Sequence, residues 1–297
     1  SEQYIGSLFT GTMSIITNPT ALELTKYTKT VYKNTPYTAA KLTQADSIEA
    51  GNPIPSKVGQ PSPIKYVFYI IKENRTYDQV LADMPGGNGD TSLLLFGKNI
   101  TPNQHAIASN FVLLDNFYVD SEVSADGHNW SMGAYANDYL EKTWPTSYSG
   151  RGGTYGGEGE REIANNKNGF IWNNCYRAGI SYRSYGEFIS GGKPTVPVLN
   201  DHFCKDFQPY NLNIPDTLRF KRWQRDFDSL LAINQVPRLN TLRLINDHTE
   251  GMKLGRPSPY AHVADNDLAV GMFVEYLSKS PIWNESVVFI LEDDAQN

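Results

Sequence analysis

Cysteine is nearly absent: Cys175 and Cys204 are the only two in 297 residues. A disulfide scaffold and a cysteine-rich zinc site are therefore excluded, although the two thiols can pair or stay free. Long hydrophobic runs are missing as well. The best, residues 66–71 and 287–291, are strand-sized and far short of the ~20 residues that span a bilayer, so no transmembrane segment is expected. There is no basic excess either. Lys+Arg 26 against Asp+Glu 32 leaves a net charge of -6, which argues against a nucleic-acid or anionic-membrane binder, because both need a basic footprint. The chain opens at Ser1 with no basic-then-apolar leader, so any signal peptide is expected to have been removed already. No Gly-x-Ser-x-Gly elbow, internal repeat or heptad pattern occurs, and an α/β-hydrolase triad is disfavoured.

What is present is an ordinary globular balance, 40% hydrophobic and 20% charged, in a chain long enough for roughly two domains of about 150 residues. Residues 1–20 alternate like a short hairpin, and residues 21–35 suit a modest helix. Prolines at 53, 55, 61 and 63 mark a linker over about 41–62. From there the pattern changes. Residues 64–71 (IKYVFYII), 111–118 (FVLLDNFY), 241–245 (TLRLI) and 287–291 (VVFIL) read as strands buried on both faces. A helix is expected near 129–140, and another over 268–279 with Asp265 as its cap, since Val270, Phe273, Val274 and Leu277 recur at helical spacing. Residues 141–235 read as an irregular, aromatic-rich insertion that shapes a pocket.

Each apolar run ends in a polar cluster. In an open α/β sheet ligands bind at the carboxyl ends of the strands, so these clusters are expected to converge. Glu73 and Asn74 suit a divalent metal through oxygen donors, or merely a strand-end turn. Asp293 and Asp294 are adjacent carboxylates, costly to hold together without a cation or arginine; an exposed acidic tail is the plainer alternative. Ser121 and Ser124 stand between a strand and a helix, where a hydroxyl caps the helix or, near phosphate, acts as a nucleophile. Among five histidines, His128, His248 and His262 follow strands in polar stretches, whereas His105 and His202 do not.

These blocks are familiar. Residues 66–78 (YVFYIIKENRTYD) resemble the opening hhhhhxENRxxD signature of a bacterial phosphoesterase family that contains phospholipases C and AcpA-type acid phosphatases, within the alkaline-phosphatase-like superfamily. Residues 114–118 (LDNFY) with the following serine loop are similar to the family's DNYxxS block. Residues 244–251 (LINDHTEG), 260–267 (YAHVADND) and 288–297 (VFILEDDAQN) complete the likeness, which is nearest to the subgroup fused to a YncE-like β-propeller. The resemblance covers about residues 63–297.

The resemblance implies an alkaline-phosphatase-like α/β sheet flanked by helices at 63–297, preceded by the end of a β-propeller and a connector at 1–40. It implies metal-dependent hydrolysis of phosphate esters. One divalent ion (Zn, Mn, Mg or Ca) would be held by Glu73, Asn74, Ser124, Asp293 and Asp294, with Ser124 preferred over Ser121 as the nucleophile. His128, His248 and His262 would line the phosphate pocket. The partners implied are a phosphoester substrate and an upstream propeller in the same chain; the address implied is the periplasm or surface of a bacterium. Sequons at Asn74 and Asn129 fall in these blocks, where a glycan would be intolerable, in keeping with a bacterial source. Family members continue past the Glu-Asp-Asp block, so the chain is expected to be truncated there. Two other classes stay open: a metal-free carboxylate glycosidase, and a surface binding protein that keeps the fold without chemistry.

Overall fold

The computed structural model describes residues 10–35, 37–43 and 51–296. They divide into two compact units, one up to Lys65 and one from Tyr66 onward. The first holds helix α1 (Ala21–Asn34), started by a capping box in which Glu23 N–H donates to Thr20 Oγ1 while the Glu23 carboxylate accepts from Thr20 N–H. The helix expected at 21–35 is therefore present. Of the hairpin and propeller ending expected over 1–40, residues 1–9 lie outside the described residues, and residues 10–35 and 37–40 form no strand.

The second unit is built on a four-stranded parallel sheet. Its strands are β1 (Tyr66–Lys72), β2 (Tyr182–Tyr185), β5 (Leu239–Leu244) and β6 (Ser286–Glu292), in the order β2-β5-β1-β6. A small antiparallel hairpin, β3 (Ile189–Ser190) with β4 (Lys193–Pro194), follows β2. The run at 66–71 is apolar throughout because both faces of β1 are covered. Phe68 and Ile70 meet Phe220, Trp223 and Phe227 of α7 (Asp216–Ala232) and Val270, Phe273 and Leu277 of α8 (Pro259–Ser278). Ile71, with Val67 and Tyr69, meets Trp172 of α6 (Ile171–Arg177) and Met132 of α4 (Ser124–Gly133). Burying one such aromatic contributes about 1.5–3 kcal/mol. Both cysteines are free and buried.

Three expectations are corrected. Residues 111–118 form no strand: after α2 (Tyr77–Leu81) and α3 (Pro102–Asn110) the chain runs irregularly, with Val112 80% and Tyr118 79% exposed. The polar pair inside that run decides it. Asp115 accepts from Asn88 N–H and Asn116 from the Asn88 amide, side-chain bonds that tie the run to a neighbouring loop. The segment 141–235 is not simply an insertion, since it supplies β2 to the sheet and α7 to the core. The helices also start earlier than expected. α4 begins at Ser124 and stops where Ala134 turns left-handed (φ 60°); Asn137 then caps α5 (Asp138–Tyr148). α8 begins at Pro259 behind a Ser258 cap, so Asp265 is interior and accepts instead from Asp216 N–H and the Thr217 hydroxyl.

Candidate functional site

A parallel sheet brings all its carboxyl ends to one edge, and here that edge collects charge. β1 delivers Glu73 and Asn74, β6 delivers Asp293 and Asp294, and β5 delivers Asn246, Asp247 and His248 in a 3₁₀ turn. Lys72 pairs in register with Leu244 on one side and Glu292 on the other, so these clusters stand level. β2 adds Glu187 through the left-handed Gly186 (φ 98°). Helix α4 closes the site from above, and Gly127 lets it approach: a Cβ there would stand 2.5 Å from the Asp293 carbonyl oxygen. A cavity of about 590 Å³ opens over this edge, lined among others by Glu73, Asn74, Ser124, Arg243, His248 and Asp294.

Ser124 is the first residue of α4. Its hydroxyl donates to Asp294 Oδ2 at 3.1 Å, and the Asn74 amide donates to Asp294 Oδ1 at 2.5 Å. Ser121 is placed differently, buried with its hydroxyl donating to the Asp293 carbonyl at 2.7 Å. Of the two serines, Ser124 is the one on the cavity wall.

Behind this outer group lies a second, drier one. His128 is fully buried. Its Nε2 lies 3.3 Å from Asp293 Oδ2 and 3.7 Å from Glu73 Oε1, and its Nδ1 lies 3.1 Å from Glu187 Oε2. One donor atom each from Glu73, His128 and Asp293 fall within 4.8 Å of one another. His248 is on the cavity wall, with Nδ1 2.9 Å from the Thr249 carbonyl; a carbonyl only accepts, so Nδ1 carries a proton. Arg75 pins that turn, donating through Nε to the Asp247 carbonyl at 2.7 Å and through Nη2 to the His248 carbonyl at 3.1 Å. His262 is buried in α8 and does not line the cavity. Burial holds its pKa below the ordinary imidazole value, against the pull of Glu250 and Asp265.

Arg243, Glu158, Glu187 and Tyr210 were not singled out from sequence. Arg243 is a cation inside a buried strand, and it grips Glu73 in a two-pronged bond (Nε to Oε2 3.0 Å, Nη2 to Oε1 3.1 Å) while also pairing with Glu158. The signal was the arginine in TLRLI, a charge that an all-apolar strand would not tolerate unpaired. Glu158 and Glu187 carried weaker signals, Glu158 as one of three alternating acids in a glycine-rich stretch and Glu187 as a lone acid beside Gly186. Tyr210 covers the Arg243 guanidinium at 5.4 Å and edges the His248 ring.

Charge balance follows from this inventory. Among the described residues, Glu73, Glu158, Glu187 and Asp293 form ion pairs only with Arg243 and His128, while Asp294 accepts from the neutral Ser124 and Asn74. Burial, then the neighbouring Glu73 and Asp294 charges, push the Asp293 pKa well above the usual carboxylate range. Burial likewise lifts Asp294, to about 6, against the Asn74 hydrogen bond. Glu73 goes the other way: despite burial, Arg243 and His128 hold it low. Both oxygens of Asp293 and both ring nitrogens of His128 are buried without a hydrogen bond. A divalent cation fits such a donor set, since it would neutralise the excess and occupy the unpartnered atoms.

No protein-family model matches the chain, and no curated protein matches it. Among solved structures it is similar to the lipoteichoic acid synthase LtaP from Listeria monocytogenes, at 14% identity and a TM-score of 0.47, over 79% of this chain and 57% of that one. The chain thus spans less than two thirds of that structure's length.

Proposed function

We propose that this site hydrolyses phosphate esters with one divalent metal ion and Ser124 as the nucleophile, in an alkaline-phosphatase-like framework. The observation that carries the reading is Ser124 itself: a hydroxyl on the first turn of a helix, hydrogen-bonded to Asp294, facing a cavity floored by Glu73 and Asn74. Of the sequence blocks that resemble the phosphoesterase family, those at 66–78, 244–251 and 288–297, with the serine loop, contribute residues to that cavity, whereas those at 114–118 and 260–267 do not. Glu73, Asn74, Asp293, Asp294 and the Ser124 oxygen would hold the ion, which would supply Lewis-acid polarisation of a phosphoryl oxygen and a lowered pKa for the serine hydroxyl.

The residues supply the rest. Asp294 accepts the Ser124 proton as Oγ attacks phosphorus and the ester P–O bond breaks. The first-turn amides of α4 favour the developing negative charge. His248 stands on the wall with Nε2 available for proton exchange, suited to protonating the leaving oxygen and then to accepting a proton from the water that cleaves the phosphoseryl group. Arg243 keeps Glu73 ionised and aimed. The enzyme class is phosphoric ester hydrolase, and the periplasm or cell surface is the proposed address. The residues up to Lys65 are proposed to connect the domain to an upstream propeller. Acid quenching during turnover, followed by mass spectrometry, tests the covalent step: phosphate on the Ser124 peptide is expected, and its absence there with phosphate on another residue would reject the nucleophile.

A further inference from the structure

His128 stands apart from the other histidines. It is fully buried, away from the cavity wall, and ringed by three acids, yet neither ring nitrogen makes a hydrogen bond. Both oxygens of Asp293 and both oxygens of Glu187 are equally without hydrogen bonds. A histidine serving only as a counter-ion would align N–H with a carboxylate oxygen, because an unmade buried hydrogen bond costs about 1–3 kcal/mol or more. Instead Nε2, Glu73 Oε1 and Asp293 Oδ2 converge at 3.3–3.7 Å from the nitrogen, the approach of donors that share an acceptor between them. On the far side of the ring, Nδ1 lies 3.1 Å from Glu187 Oε2. A carboxylate behind a ligating imidazole fixes its tautomer and raises its basicity.

We infer that His128 Nε2 is a ligand of the metal ion shared by Glu73 and Asp293, that Glu187 backs the ring as a counter-charge beside Nδ1, and that the site therefore selects a zinc-class metal over magnesium or calcium. The inference rests on the proposed metal site and not on the reaction assigned to it. Oxygen donors alone suit magnesium, calcium or manganese, whereas a nitrogen donor among carboxylates shifts preference toward zinc and its neighbours. The fold explains why a histidine reaches this point. His128 lies one turn beyond Ser124 on α4, so the helix that presents the hydroxyl to the cavity turns the imidazole down onto the strand ends. Gly127, beside it, allows the approach.

X-ray absorption at the zinc edge of the full chain loaded with zinc tests this directly, alongside competition titrations of zinc and magnesium for wild type, His128→Gln and Glu187→Gln. Imidazole scattering is expected in the wild type and its loss in His128→Gln. Zinc affinity is expected to fall by roughly 10–100-fold in Glu187→Gln, the range for outer-shell partners, and further in His128→Gln, with the preference over magnesium collapsing. An all-oxygen zinc shell in the wild type overturns the inference, and this spectrum decides even if a variant does not fold. Turnover of phosphoesters with an all-oxygen shell would sink the inference and leave the phosphoesterase reading standing. Imidazole scattering without turnover would do the reverse.

Discussion

Asp293 and Asp294 show how single residues couple this protein to pH. A carboxyl whose pKa rises on folding binds more protons in the folded state than in the unfolded one. Stability is then fullest below the unfolded value, about 3.9, and declines as pH rises through the folded value. For Asp294, lifted to about 6, the decline falls between about pH 4 and pH 6; for Asp293 it extends higher. The metal-free protein is therefore expected to melt at a lower temperature at pH 7.5 than at pH 5, with added divalent metal restoring much of the difference, as calorimetry at the two pH values would show. Asp293→Asn removes a buried ionisable carboxyl that has no hydrogen bond. In the metal-free state at pH 7.5 it is expected to melt at or above the wild-type temperature while losing stabilisation by metal. A variant that melts lower, yet still responds fully to metal, would mean Asp293 is structural.

The elements matter through one close approach. α4 rests on the end of β6 at Gly127, where a methyl group would meet backbone rather than a movable side chain. Gly127→Ala is expected to cost about 1–3 kcal/mol through overpacking and to weaken metal binding by lifting Ser124 and His128 off the strand ends. Denaturant melts and a metal titration measure both, and an unchanged affinity would disconnect helix placement from the site. The same elements show what was legible in the sequence. β1 and β5 were readable because both faces are covered, which leaves continuous apolar runs; β6 carries the same kind of run although it is an edge strand with Phe289 40% exposed, and parallel pairing then brought Glu73, Asn74, Asp293 and Asp294 to one edge. The run at 111–118 looked alike but carries Asp115 and Asn116, which bond a loop; hydrophobicity alone does not report whether a partner strand is in reach. β2 was missed because only four residues pair. Arg243 and Glu187 were missed for a related reason. Their partners lie far off in sequence, and only the register of the sheet brings a charge in β5 against Glu73, or an acid after β2 against His128.

At the scale of the whole molecule, a chain of net charge -6 concentrates a share of its acidity where burial makes it costly, and a cation at that point would turn the cost into stabilisation. A ligand that binds only the folded state adds about 2.7 kcal/mol at a hundredfold excess over Kd. A melting shift of that order with zinc or manganese, reversed by chelator, is expected; a chain indifferent to every divalent ion would favour a carboxylate-only chemistry or a binding role. Among the described residues no helix is long and apolar enough to cross a membrane. The decisive measurement is hydrolysis of p-nitrophenyl phosphate and of its bis ester by the metal-loaded protein, with and without chelator, alongside Ser124→Ala. The metal–serine mechanism predicts turnover of one or both esters that chelator abolishes and that Ser124→Ala lacks while still binding metal. Turnover that survives chelation, or that persists in Ser124→Ala, would contradict it.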